Sequence, residues 1–143
     1  MYGLYILGKR LANMIESQLI FPTQVFRTVY ENSQELQKIA VPRFQEIEKD
    51  DTSPVRYSAN GYTSYGAYTN ILLEVEFIEL KQFIDDAVKK CHEQTNLQGE
   101  IRLESSWFSI MRKHTYHEEH HHMPSVWSGV YYVQADNDHP GLT

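Results

Sequence analysis

A histidine-rich tract that leads into an apolar run constrains the fold of this chain more than any other feature. Five of the seven histidines fall between His114 and His122, and the run Ser128–Val133 follows after a short spacer. Residues two apart on a β-strand point to the same side and lie about 6.5 Å apart along it. If the tract enters a strand, His120 and His122 share one face and His121 points to the other.

The same pair of histidines predicts a metal site, because neutral imidazole is the commonest side-chain metal ligand. Three other interpretations stay open: a tag remnant, a solvated loop of titrating side chains, and a zinc site with a structural role only. The internal position of the tract, directly before a strand pattern, disfavours the tag. A His-x-His pattern is short and occurs by chance, so it does not decide among the others.

Composition limits the class of protein and its surroundings. A chain of 143 residues is one domain's worth and can bury an adequate core. The formal net charge of −6, with no cluster of Lys and Arg, argues against a nucleic-acid-binding surface. A single cysteine, Cys91, allows no intrachain disulfide and favours a reducing compartment, so we expect a cytoplasmic protein. No apolar run reaches the ~20 residues that a membrane span needs.

A short helix is expected at Ser33–Phe44, with Ser33 as its N-cap. Two further regions show helical spacing of apolar residues. Residues Met1–Ser17 carry Leu4, Leu7 and Leu11 on one side, which predicts an N-terminal amphipathic extension over 1–18. The clearest helix spans Glu76–Asn96, with Asn96 as its C-terminal cap. Its apolar stripe is made of Phe77, Leu80, Ile84, Val88 and Cys91.

The remaining segments read as strands and loops of a domain that covers residues 19–143. Alternating patterns predict strands at Val25–Tyr30 and Ile101–Ile110, and a nearly continuous apolar strand at Ser128–Val133. Residues Asp50–Ala67 are polar and rich in turn formers, which indicates a long surface loop. Its tyrosines and threonines either line the mouth of a pocket or belong to a loop that packs onto the core. A dense turn signal, Asp136–Gly141, follows the last strand.

Several motifs together resemble one family. Trp107, the pair His120 and His122 with a nearby proline, and the Ser-Gly-Val-Tyr-Tyr-Val run at 128–133 are similar to the pattern of 2-oxoglutarate/Fe(II)-dependent oxygenases. The resemblance is to a subgroup common in marine bacteria and their phages, which implies a cytoplasmic protein of the host if it is phage-encoded. The opening Phe21–Phe26 and the run Tyr62–Gly66 are also similar, so the resemblance covers most of the chain.

The resemblance implies a mainly β fold with flanking helices, namely a double-stranded β-helix or jelly roll. It also implies Fe(II) and 2-oxoglutarate as cofactors, with His120 and His122 as metal ligands and with Trp107 and Tyr131 at the cofactor. Most relatives have a carboxylate at the position of His122. His122 is therefore either a ligand or a neighbouring ring, with Glu118 as the closest alternative on the same face.

The resemblance further implies a distal histidine and a 2-oxoglutarate-anchoring arginine after the next strand. No arginine follows Arg112, so we expect the front part of an oxygenase domain, inactive by itself, with an unknown small-molecule or protein substrate. An unpaired barrel edge would favour a homodimer. The alternative function is a non-enzymatic jelly-roll or cupin-like module for metal binding or interaction, although the glutamate of the cupin pattern is missing after His122.

Overall fold

The computed structural model describes residues 24–52, 61–117 and 120–135. The N-terminal extension over 1–18, the pair Glu118 and Glu119, and the turn Asp136–Gly141 lie outside the described residues. Two helices dominate the described part, α1 (Ser33–Asp50) and α2 (Ile78–Gln94). Two short strands and two 3₁₀ turns complete it: β1 (Tyr62–Thr63), β2 (Ser109–Ile110), and the turns Ile71–Leu73 and Val75–Phe77.

Helix α1 confirms the helix predicted from Ser33 and extends it by six residues. Leu36, Ala40 and Ile47 are buried on one side, which is the spacing of a core-facing helical stripe. Pro42 lies inside the helix, where it removes one backbone donor, yet the helix continues to Asp50. The prediction of Ser33 as the N-cap was wrong by one residue: Asn32 takes that place, without a capping hydrogen bond from its side chain.

Helix α2 confirms the second predicted helix and the burial of the first part of its stripe, whereas Val88 and Cys91 are only half-buried. Phe77, in the 3₁₀ turn that leads into the helix, is 1% exposed, and Leu80 is also buried. Ile84 is half-buried and packs against the same core. Asn96 has a φ of 55°, the left-handed conformation expected of a residue that ends a helix.

The two strands pair antiparallel and anchor a segment that crosses the core. Tyr62 lies opposite Ile110, and Thr63 lies opposite Ser109. Ser64 continues the contact, because its backbone N–H donates to Phe108 O over 3.0 Å and its Oγ accepts from Phe108 N–H at 3.2 Å. Residues 61–64 are all buried, so the end of the predicted loop packs on the core, the second of its two interpretations.

The predicted fold class was wrong for the described residues, which are not mainly β and form no jelly roll. Of the three predicted strands, Val25–Tyr30 and Ser128–Val133 contain no strand, and Ile101–Ile110 contains only Ser109–Ile110 and a bridge at Ser106. A β-favouring sequence becomes a strand only where a neighbouring strand pairs with it, because its preference reflects packing on a pleated surface. Here the helices contribute much of the core instead.

The core lies between α1, α2 and the segment that contains Phe108. The Phe44 ring stacks on Phe108 at 4.0 Å and on Phe77 at 5.7 Å, which joins the three parts. Among the residues that the structure describes, no helix is long and apolar enough to cross a membrane.

A second link ties α1 to the turn before α2. The Arg43 guanidinium donates twice to Glu74, from Nε to Oε2 over 3.0 Å and from Nη2 to Oε1 over 2.6 Å. The Tyr68 hydroxyl also donates to Glu74 Oε1. The hydrogen bonds from Arg43, ahead of the one from Tyr68, hold the pKa of the Glu74 carboxyl below its usual range, although partial burial opposes them.

Replacing Glu74 with glutamine should lower the free energy of unfolding at pH 7 by about 1–3 kcal/mol, because it removes charged hydrogen bonds at a side chain that is only 15% exposed. A carboxyl whose folded pKa is depressed stabilises above its unfolded pKa of about 4.3 and loses this contribution as the pH falls through the folded value. The difference between wild type and Glu74→Gln should therefore shrink below about pH 4. Urea unfolding over a pH series measures it.

Glu46→Gln is the matched control, since Glu46 also binds Arg43, through Nη1 at 2.8 Å, but is 63% exposed. Exposed pairs contribute about 0–1 kcal/mol. If Glu74→Gln and Glu46→Gln lowered the free energy of unfolding equally, Glu74 would not stabilise the fold more than an exposed partner of Arg43 does.

Candidate metal centre

Three histidine rings form a cluster in the segment that follows β2. The ring centroids of His120 and His122 are 4.8 Å apart, and those of His117 and His120 are 5.9 Å apart. The segment is not a strand, so the predicted β geometry is wrong even though the two rings of the His-x-His pattern are neighbours. A turn follows them, in which Ser125 N–H donates to His122 O over 2.7 Å.

Trp107 stands beside this cluster and is half-buried. Its ring lies 5.5 Å from that of His122 and 4.9 Å from that of Tyr65, in both cases between centroids. The two residues next to Trp107 are buried and bound: Ser106 N–H donates to Thr69 O, and Phe108 is held by Ser64. A fixed backbone thus sets the position of Trp107, and the cluster rests against it.

Tyr131, the other predicted cofactor contact, lies in a different environment. Its ring packs edge-on against Tyr30 at 6.2 Å and belongs to the rim of the core. Burial, and then the nearby Tyr30, raise the pKa of its hydroxyl. No ring contact joins Tyr131 to the histidine cluster within the described ranges.

The surroundings of His117 favour the neutral form of its ring. Partial burial, reinforced by the proximity of His120, lowers the pKa of His117. A lowered pKa keeps the imidazole neutral near pH 7, and a neutral ring has the nitrogen lone pair that a metal requires.

The described donors fit only part of a ferrous site. Such sites use two histidines and usually one carboxylate. In residues 24–52, 61–117 and 120–135, no group of three or more His, Cys, Asp or Glu side chains is arranged to hold a metal ion. His120 and His122 thus offer an imidazole pair, while the candidate carboxylates Glu118 and Glu119 lie outside the described residues.

Two further contacts were not singled out from the sequence. Tyr65, which supports Trp107, lies in the Tyr62–Gly66 run whose similarity to the family was the only signal for it. His92, on α2, accepts a hydrogen bond at Nδ1 from Trp127 Nε1 over 3.3 Å, and its Nε2 is buried without a partner among the described atoms. No sequence pattern linked His92 with Trp127, because 35 residues separate them.

The candidate metal site of the described residues is thus a pair of histidine rings beside Trp107. In a comparison with known families, residues 105–142 match the model of a family described as "Putative 2OG-Fe(II) oxygenase". The matched segment is about a quarter of the chain and contains Trp107, the histidine cluster and Tyr131. No curated protein and no solved structure matches the chain.

The match supports a 2OG-Fe(II) oxygenase family for this chain and confirms, at that level, the resemblance found from the motifs. The family implies Fe(II) and 2-oxoglutarate as cofactors. The subgroup, and an origin in marine bacteria or phages, stay predictions.

Proposed function

We propose that this protein is a 2-oxoglutarate/Fe(II)-dependent oxygenase of the hydroxylase type, with His120 and His122 as metal ligands. One coincidence carries the proposal. The segment that matches the oxygenase family is the one in which the two imidazole rings lie 4.8 Å apart. A ring separation of this size lets two side chains of one short segment turn towards a common ion.

Iron and 2-oxoglutarate, when bound, supply the activation of dioxygen for substrate oxidation with release of succinate and CO₂. The chain's own residues would bind the metal ion and orient its ligands. His120 and His122 would each offer a ring nitrogen to the metal, and a carboxylate such as that of Glu118 would complete the donor set. The Trp107 ring limits the movement of His122 and shields it from water on one side.

The structure supports a cofactor contact for Trp107 more than for Tyr131, the other residue predicted to contact the cofactor. Trp107 lies next to a proposed ligand, so a cofactor on the metal would be within its reach. Tyr131 packs on Tyr30, and only the family pattern argues for a role at 2-oxoglutarate.

Tryptophan fluorescence tests the proposal directly, because the chain has two tryptophans in different surroundings. Trp107 contacts His122, whereas Trp127 contacts His92 and Phe26. Anaerobic Fe(II) should quench the Trp127→Phe variant, which keeps Trp107, more strongly than the Trp107→Phe variant. Added 2-oxoglutarate should raise the apparent Fe(II) affinity of the Trp127→Phe protein, since it binds the same ion.

Admission of air then tests the chemistry, with succinate as the measured product. Succinate that depends on both Fe(II) and 2-oxoglutarate and is lost in His120→Ala would support the oxygenase and would contradict the expectation that residues 1–143 are inactive by themselves. Equal quenching of the two tryptophan variants would show that the metal does not bind beside Trp107. No Fe(II) binding at all would favour a non-enzymatic interaction module.

A further inference from the structure

One side-chain hydrogen bond joins the end of α2 to the segment that carries the histidine cluster. The Trp127 indole Nε1–H donates to His92 Nδ1 over 3.3 Å. The same indole ring packs edge-on against Phe26 at 5.8 Å between ring centroids. Trp127 is thus held by two contacts, although it lies in a segment without helix or strand.

The histidine end of this bond is fixed by the end of the helix. The His92 carbonyl accepts from Thr95 N–H over 3.1 Å and from the Thr95 hydroxyl over 2.9 Å. These bonds close the last turn of α2 and satisfy a carbonyl that would otherwise have no partner within the helix. His92 therefore presents its ring to Trp127 from a fixed backbone.

The tryptophan end of the bond lies close in the chain to the proposed ligand His122. Ser125 N–H donates to His122 O over 2.7 Å, which closes a turn, and Trp127 follows two residues later. The His122 ring itself lies 5.5 Å from the Trp107 ring, between centroids. His122 thus has two connections to the rest of the fold, one through its ring to Trp107 and one through its backbone to Trp127.

The hydrogen bonding of the His92 ring is incomplete. A neutral imidazole has one donor and one acceptor nitrogen, so a ring that accepts at Nδ1 carries its proton at Nε2. Nε2 is buried and has no partner among the described atoms. A buried donor without a partner lowers stability, which offsets what the bond from Trp127 contributes. The position that the bond gives to Trp127 therefore explains this histidine better than stability does.

We propose that His92 is a positioning residue of the candidate metal centre, and that its hydrogen bond with Trp127 keeps His122 in place against Trp107. The inference rests on the proposed role of His122 as a metal ligand. It concerns a residue outside the segment that matches the oxygenase family, which begins at residue 105. Residues that support a ligand directly change metal affinity by about 10–100-fold, so the loss of the more distant His92 bond should weaken binding by about three- to tenfold.

Two substitutions of His92 separate hydrogen bonding from packing. Asparagine keeps an acceptor oxygen near the place of Nδ1 but removes most of the ring, whereas phenylalanine keeps a ring and has no acceptor. By isothermal titration, His92→Asn should keep the wild-type Zn(II) affinity within about twofold, and His92→Phe should lose about three- to tenfold. A role in packing alone predicts the reverse order. The urea midpoint of His92→Phe should stay close to that of the wild type, because one hydrogen bond and one unsatisfied donor are lost together.

Nuclear magnetic resonance of the metal-free protein tests the positioning without a metal. The chain has two tryptophans, so Trp127→Phe assigns the two indole N–H signals. In His92→Phe the Trp127 signal should shift upfield as its hydrogen bond is lost, and the nuclear Overhauser contacts between Trp107 and His122 should weaken. His92→Asn should keep both. A double variant of His92→Phe and Trp127→Phe should bind Zn(II) no more weakly than either single variant, because both remove the same bond.

The two kinds of measurement separate this inference from the oxygenase assignment. If the wild type binds no metal but His92→Phe loses the Trp107–His122 contacts, the positioning of His122 is supported and its role as a ligand is contradicted. Equal Trp107–His122 contacts and equal Zn(II) affinity in wild type and His92→Phe would overturn the role of His92, even in a protein that releases succinate. Weaker Zn(II) binding by His92→Asn than by His92→Phe would overturn it as well.

Discussion

Replacing Phe77 with alanine is expected to lower the free energy of unfolding by about 3–5 kcal/mol, the usual cost of removing a buried phenylalanine. Phe77 is 1% exposed and stacks on Phe44, which in turn stacks on Phe108. The substitution therefore leaves a cavity where α1, α2 and the Phe108 segment meet. Domains of this size are stable by only about 5–15 kcal/mol, so the loss takes a large share of the total. Urea unfolding, followed by circular dichroism, measures it.

The neighbouring Ile78→Ala is the control, because Ile78 begins α2 and is 54% exposed. This substitution should lower the free energy of unfolding by less than about 1 kcal/mol, as is usual for surface positions. If Phe77→Ala and Ile78→Ala shift the urea midpoint equally, the core does not lie between the helices as described.

Removal of the His120 ring is expected to weaken divalent metal binding by about 100-fold or more, since it removes a proposed ligand, and even residues that only support a ligand cost 10–100-fold. His120 contacts both His117 and His122, so no other ring of the cluster is as central. Isothermal titration under nitrogen, with Fe(II) and then Zn(II), gives the affinities. A site that consists of imidazoles alone should follow the general order of the divalent ions and prefer Zn(II).

His121→Ala supplies the comparison, because it deletes an identical side chain between the two proposed ligands. Its metal affinity should equal that of the wild type, whereas His122→Ala should resemble His120→Ala. Equal losses from His120→Ala and His121→Ala would mean that the tract binds metal without a defined pair of ligands.

The helices were the part of the fold that the sequence predicted well. Both α1 and α2 have apolar residues at intervals of three and four, and this pattern depends only on the geometry of one helix. The start of α2 at Ile78 and the left-handed Asn96 after it agree with the sequence to within two residues. Helical hydrogen bonds are local, so a single segment contains most of the information.

The strands show the opposite case. Val25–Tyr30 and Ser128–Val133 alternate or run apolar as strands do, yet in the described structure they lie alongside each other through aromatic rings and without strand pairing. The partners of a strand come from distant parts of the chain, and the pattern of one segment does not name them.

For the candidate site, too, the sequence predicted the features that depend on neighbouring residues and missed the contacts between distant ones. The motif His120-x-His122 and the family resemblance could be found from neighbouring residues alone, and the family match now supports the oxygenase assignment. The roles of His120, His122, Trp107 and Tyr131 stay proposals. The sequence did not predict that Tyr65 supports Trp107, or that Tyr131 turns to Tyr30 and not to the cluster.

The sequence by itself thus determined the two helices, the spacing of the histidines and the family that the segment around them resembles, because each is a property of neighbouring residues. Only the tertiary structure decided that helices replace the expected barrel in the described core, and that Trp107 rather than Tyr131 stands beside the histidines. These features depend on contacts between residues far apart in the chain. Which of those contacts form is settled by the packing of the whole domain, where side chains compete for the same buried space.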